Sequence, residues 1–120
     1  DLAFLHDLNA LNYLMAGEYP VITVVINNNG GGIFSQLPIA RYDRFFEKYF
    51  VTPHGLTFKK VAAMYGVSYH CPTVVQEFLT AYRQAVDSGG SAIIEIPVNR
   101  KKDRAVYMQL IADVHQASQG

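Results

Sequence analysis

The stretch Val21-Ile22-Thr23-Val24-Val25-Ile26, followed at once by Asn27-Asn28-Asn29-Gly30-Gly31-Gly32, decides how this chain is read. A continuous β-branched run predicts a strand buried on both faces, as in a parallel sheet. The amides and glycines then fall at or just past the strand's carboxyl end, where open α/β sheets bind ligands. Asparagine offers a neutral oxygen to a hard cation, and glycine lets backbone carbonyls approach a ligand closely. The same residue types also build plain sharp turns. Composition alone leaves turn and ligand cradle both open.

Upstream of the strand, Leu8, Leu11 and Met15 recur at three- and four-residue spacing and predict a helix over 6–17. Asp7 is placed to cap or charge its first turn, and Gly17 with Pro20 stops it. Downstream, Ile33 and Phe34 resume an apolar pattern, and 36–40, with Pro38, reads as a loop or short turn. Tyr42, Phe45, Phe46 and Tyr49 give 41–50 a helical aromatic face, read as core or interface. A helix over 57–65, a strand over 67–71 and a helix over 73–87 follow. Thr73 is the candidate cap of the last of these, with Glu77 one position beyond the ideal capping-box spacing. A final strand spans 91–98, with Pro97 near its end. The run 99–104 is polar, and 105–116 reads as a closing helix. This alternation predicts one α/β domain over 1–120, a doubly wound, mostly parallel sheet with helices on both faces.

Lys plus Arg equals Asp plus Glu, ten each, so charge gives no case for nucleic acid or an anionic membrane. Only 17% of residues are charged and half are apolar or aromatic, a globular composition. The apolar runs fall far short of a membrane span, and no basic n-region with a cleavage site signals secretion. The single cysteine, Cys71, excludes an internal disulfide and fits a reducing, cytoplasmic setting. After the strand-like Val67-Ser68-Tyr69-His70, it reads as a small packed residue. The chain opens on Asp1 in an apolar stretch, Leu2-Ala3-Phe4-Leu5, which reads as a start inside a domain. A fragment of a longer polypeptide, with at least one more strand upstream, is the expectation.

That expectation brings Asp1 and Asn28 together. If a strand ends just before Asp1, a right-handed crossover puts its top beside the top of the strand at 21–26. Asp1, the Asn28 amide oxygen and the Gly30 carbonyl then form half a shell of hard oxygens. Magnesium suits such a shell and takes water or phosphate oxygens in its other positions. Backbone N–H groups at Leu2 and Ala3, near a helix start, are candidate phosphate donors. No G-x-x-x-x-G-K-[ST] is present, which argues against a P-loop. No pair of histidines has metal-ligand spacing, so His6, His54, His70 and His115 are assigned structural or surface roles. Arg41 and the run Arg100-Lys101-Lys102 with Arg104 read as solvated faces.

These residues also carry a resemblance. Asp1 followed by Asn27-Asn28 resembles the thiamine-diphosphate motif, Gly-Asp with Asn-Asn some twenty-five to thirty residues on. The blocks 1–11 and Asn27-Asn28-Asn29-Gly30-Gly31-Gly32-Ile33-Phe34-Ser35 with Leu37-Pro38 resemble one branch closely. That branch is the MenD family, the 2-succinyl-5-enolpyruvyl-6-hydroxy-3-cyclohexene-1-carboxylate synthases of menaquinone biosynthesis. Thr52-Pro53-His54-Gly55-Leu56 with Phe58, and Ile94-Glu95, are similar to it as well. The resemblance implies the C-terminal part of the domain that binds the cofactor diphosphate. It implies Asp1, Asn28 and the Gly30 carbonyl as ligands of Mg²⁺, with Mn²⁺ an alternative. It implies Ile33 and Phe34 beside the cofactor, and Phe34 and Leu37 toward substrate. The implied reaction decarboxylates 2-oxoglutarate and adds the succinyl-semialdehyde unit to isochorismate. The implied assembly is a homodimer or homotetramer, because the activating glutamate comes from the N-terminal domain of a partner subunit. That domain and the motif's leading glycine are absent from these residues, so the chain alone is expected to be inactive. Two alternatives stay open: another thiamine-diphosphate enzyme of the acetolactate synthase or 2-oxoacid decarboxylase kind, and a non-catalytic α/β domain that docks a partner.

Overall fold

A computed structural model describes residues 1–118. Its sheet has three parallel strands in the order β1-β3-β2: β1 (Ile22–Asn27), β2 (Ser68–His70) and β3 (Ala92–Pro97). In register, Ile22 lies opposite Ala92 and Asn27 opposite Pro97. The carboxyl ends of β1 and β3 therefore share one edge of the sheet.

The strand buried on both faces is β3, not β1. Ala92, Ile93, Ile94 and Glu95 are all buried, whereas β1 buries Val25 and Asn27 and exposes Val24 and Ile26. The cause is position, since among the described residues β1 is an edge strand and β3 is central. On one face Ile93 and Val25 pack with Leu11, Phe58 and Ala62, and Phe4 meets Phe58 edge to face at 4.8 Å. On the other face Ala92 and Ile94 pack with Ala85, Ile22 and Phe78. Helices thus cover both faces, as the doubly wound expectation requires.

The predicted helix over 6–17 is replaced by three short pieces: α1 (Leu2–His6), a 3₁₀ turn (Leu8–Leu11) and α2 (Asn12–Ala16). The helix begins early because the Asp1 carboxylate accepts the Leu2 N–H, satisfying one of the donors that a helix start leaves free. Asp7 caps nothing with its side chain; its backbone (φ −118°, ψ 31°) leaves the helical region and breaks the run. Two 3₁₀ turns, Gly32–Gln36 and Pro38–Arg41, fill the stretch read as loop. The aromatic segment forms α3 (Asp43–Phe46) and runs into a π turn over Glu47–Val51. Only part of its aromatic face is core: Phe46 is buried, while Tyr42, Phe45 and Tyr49 are exposed.

Next come α4 (Lys59–Met64) and α5 (Val75–Ser88). The cap of α5 is Val74, one residue later than expected, and Glu77 reaches back to the Thr73 N–H at 2.8 Å and hydroxyl at 3.0 Å. Finally, α6 (Arg100–Ala117) starts five residues before the predicted boundary. Asn99 caps it, its side chain accepting from the Lys101 and Lys102 N–H groups at 3.1 Å each. Cys71 is exposed, not packed, because it sits past the end of β2. Among the described residues no helix is long and apolar enough to cross a membrane.

Candidate functional site

Asp1 and the Asn/Gly loop meet at the carboxyl edge of β1. The Asp1 backbone nitrogen donates to the Ile26 carbonyl at 3.0 Å, which seats Asp1 against the end of the strand. Its side chain is 3% exposed. Oδ1 accepts the Leu2 N–H at 2.6 Å; Oδ2 accepts the Gly30 N–H at 2.9 Å. The Leu2 N–H, one of the two predicted phosphate donors, is therefore engaged by Asp1. Ala3 follows it in the first turn of α1 and is exposed.

One end of the Asn28 amide touches the Gly30 carbonyl oxygen and lies 3.3 Å from Asp1 Oδ2. With nitrogen at that end, the amide donates to both. With oxygen there, three acceptor oxygens (carboxylate, amide and carbonyl) face one another. Only a cation between them makes that second arrangement favourable. All three are hard oxygens of the kind magnesium and manganese take. Among the described residues no group of three or more His, Cys, Asp or Glu side chains is placed to hold a metal, so a site here relies on amide and backbone oxygens.

The loop owes its shape to Gly30 and to its own asparagines. Gly30 has φ +124°, and a Cβ there would run into the Val51 carbonyl oxygen. Gly31 donates to the same carbonyl at 2.8 Å. Asn29 takes the left-handed conformation (φ +61°), which asparagine tolerates better than most residues. Its side chain accepts the Gly55 N–H at 2.7 Å. Asn27 faces inward. It donates to Glu95 at 2.6 Å and to the Leu56 carbonyl at 3.0 Å, and accepts the Asn29 N–H at 3.0 Å.

Three residues to which sequence reasoning gave no role at the site take part in it. Glu95 is 1% exposed, and besides Asn27 it accepts the Phe58 N–H and the Tyr69 hydroxyl, both at 2.7 Å. Partial burial, then the bond to Glu95, pushes the Tyr69 hydroxyl well above its ordinary pKa and keeps it a donor. A carboxylate set between isoleucines in a strand was the available signal, since glutamate is almost never fully buried unless paired. His54, assigned a structural or surface role, lies 3.1 Å from Asp1 Oδ2 through Nε2. Its Nδ1 accepts the Leu56 N–H at 3.0 Å, so Nε2 carries the proton and donates. Arg100, read as part of a solvated face, instead forms a two-pronged ion pair with Glu47 (2.7 and 2.9 Å) and donates to the Asn29 carbonyl at 3.3 Å.

Ile33 and Phe34 follow on the first 3₁₀ turn, Leu37 lies between the two turns, and the three do not share one cavity. Ile33, 72% exposed, borders a cleft of about 320 Å³ together with Asn28, Gly32, Arg100 and Arg104. Phe34 packs on Phe50, ring centres 6.1 Å apart. Leu37 borders a separate hollow of about 230 Å³ with Arg41 and Arg104.

A family model described as "Thiamine pyrophosphate enzyme, C-terminal TPP binding domain" matches residues 1–96. Among curated relatives, the chain is similar to the 2-succinyl-5-enolpyruvyl-6-hydroxy-3-cyclohexene-1-carboxylate synthase of Rubrobacter xylanophilus, 44% identical over 92% of this chain and 19% of the relative. The synthase of the same name from Salinibacter ruber is 45% identical over 98% of this chain and 19% of the relative. That from Chlorobium chlorochromatii is 50% identical over 83% and 17%. The chain thus spans about a fifth of the length of the relatives it matches. With the parallel sheet and the loop at its carboxyl edge, these matches place the chain in the thiamine pyrophosphate enzyme family, within the C-terminal TPP-binding domain.

Proposed function

We propose that this chain supplies the metal- and diphosphate-holding part of a magnesium-dependent thiamine-diphosphate synthase. The observation that carries the proposal is the convergence of Asp1 Oδ2, the Asn28 amide and the Gly30 carbonyl. Asp1, Asn28 and the Gly30 carbonyl would hold the cation, and the cofactor diphosphate would supply further oxygens. In that arrangement the first turn of α1 would face the phosphates, with the Ala3 N–H as donor, while the Leu2 N–H stays on Asp1 Oδ1. Ile33 and Phe34 offer apolar surface to the cofactor, and Phe34 and Leu37 to the substrate. When bound, thiamine diphosphate supplies the carbon nucleophile and the electron sink, and the protein supplies orientation and charge.

For the whole protein the reading is decarboxylation of 2-oxoglutarate and transfer of the remaining four-carbon unit to isochorismate. Identities of 44–50% to synthases of that name support it. The activating glutamate and the substrate arginines then come from other segments and from a partner subunit of a cytoplasmic homodimer or homotetramer. Calorimetry on the intact protein tests the site. Thiamine diphosphate should bind only with Mg²⁺ or Mn²⁺, and Asp1→Ala and Asn28→Ala should each weaken metal binding at least about tenfold, a loss of roughly 1.4 kcal/mol. Absence of any magnesium-dependent cofactor binding would favour a non-catalytic docking domain instead.

A further inference from the structure

We propose that His54 is a positioning residue for the metal site, acting through Asp1; the inference rests on the metal reading above. The His54 side chain is 10% exposed and its ring lies tilted 6.5 Å from that of fully buried Phe58. Its tautomer is set from behind, because Nδ1 receives the Leu56 N–H. The opposite nitrogen therefore points its proton at Asp1 Oδ2. The segment 54–56 that carries it is fastened to the Asn/Gly loop at two further points: Gly55 N–H to Asn29, and Asn27 to the Leu56 carbonyl. Asn27 is fastened in turn to Glu95 in the central strand. Asp1, the loop and the 54–56 segment thus form a closed ring of hydrogen bonds with the buried Glu95 as its anchor.

In this ring the Asp1 carboxylate is fixed by three donors: Leu2 N–H, Gly30 N–H and His54 Nε2–H. The first two belong to the segments that also carry the oxygens facing the cation. His54 is the only one of the three that approaches from a third segment, so it sets the carboxylate's rotation independently of those two. Hydrogen bonds to a ligating carboxylate hold it in the orientation the metal requires, and their loss typically lowers metal affinity on the order of 10- to 100-fold.

Two substitutions separate the ring's two bonds. His54→Gln keeps a donor at the reach of Nε2 and loses the acceptor for Leu56. His54→Asn keeps the acceptor and loses the donor to Asp1. Magnesium is titrated into the intact protein at saturating thiamine diphosphate, by calorimetry, with the thermal midpoint of each variant measured alongside. His54→Asn should weaken Mg²⁺ binding on the order of 10- to 100-fold, and His54→Gln should stay within about threefold of the parent. The inference is overturned if both variants keep parental affinity, if His54→Gln is the weaker, or if losing the donor tightens binding. The last result would mean that His54 competes with the cation for Oδ2. A parent protein with no magnesium response at all would instead sink the metal reading itself.

Discussion

Three adjacent asparagines do three different jobs. Asn27 points into the protein and ties the loop to Glu95; Asn28 points at Asp1 and the Gly30 carbonyl; Asn29 turns the chain and holds Gly55. The alternation of side chains along a strand explains the first two, since neighbours point to opposite sides. That much was legible: the middle asparagine was singled out because it follows the strand end, and its meeting with Asp1 was read from the crossover. The roles of Asn27, Glu95 and His54 were not legible, because each depends on a partner distant in sequence. Glu95 gives a test at this scale. A glutamine there must present an amide N–H₂ either to Asn27 or to the Phe58 N–H and Tyr69 hydroxyl, and all of these are donors. A buried donor left facing a donor costs on the order of 1–3 kcal/mol. Glu95→Gln should lower the urea midpoint accordingly, with an unchanged denaturant slope.

At the scale of elements, strands and the longer helices were read correctly and boundaries were not. Periodicity reports which side of a helix is apolar, and it is silent where the caps lie. α6 shows this: 99–104 reads only as a polar run ahead of the helix, yet Asn99 caps a helix that starts at Arg100. None of its described side chains is buried within this chain, so its first turn rests on the cap and on the Arg100–Glu47 pair. Removing the cap should cost about 1 kcal/mol locally. Asn99→Ala should therefore speed hydrogen exchange at Lys101 and Lys102 and leave the amides of β3 unchanged, a local opening and not a global one. At the start of α5, the Thr73 backbone N–H, then its hydroxyl, holds the Glu77 carboxyl below its ordinary pKa. A lowered carboxylate pKa means that its support for the helix start is present at neutral pH. That support is lost as acid carries the group through its folded-state value.

For the whole molecule, the radius of gyration is 17.3 Å, against about 14 Å for a compact chain of this length. The excess fits the shape, 48 × 37 × 22 Å, and the apolar side chains left uncovered on β1 (Val24, Ile26) and α6 (Val106, Leu110, Val114). The β-branched run of β1 reads as a strand buried on both faces, and it would be one if further structure covered its open side. Sequence alone records the apolar run and not what lies over it. These 120 residues expressed alone should bind the dye ANS, and with thiamine diphosphate and Mg²⁺ they should show no release of carbon dioxide from 2-oxoglutarate. Robust turnover by the isolated chain would contradict the shared-site reading proposed above.

The amide of Asn28 has two useful faces, and turning from one to the other takes a half-rotation about a single side-chain bond. With its nitrogen forward it neutralises the two oxygens that confront it; with its oxygen forward it joins them. The hydrogen bonds of Asn27, Asn29 and Gly31 hold the loop's backbone through either setting. On the metal reading proposed above, the half-turn of this one amide would be what an arriving ion asks of the loop.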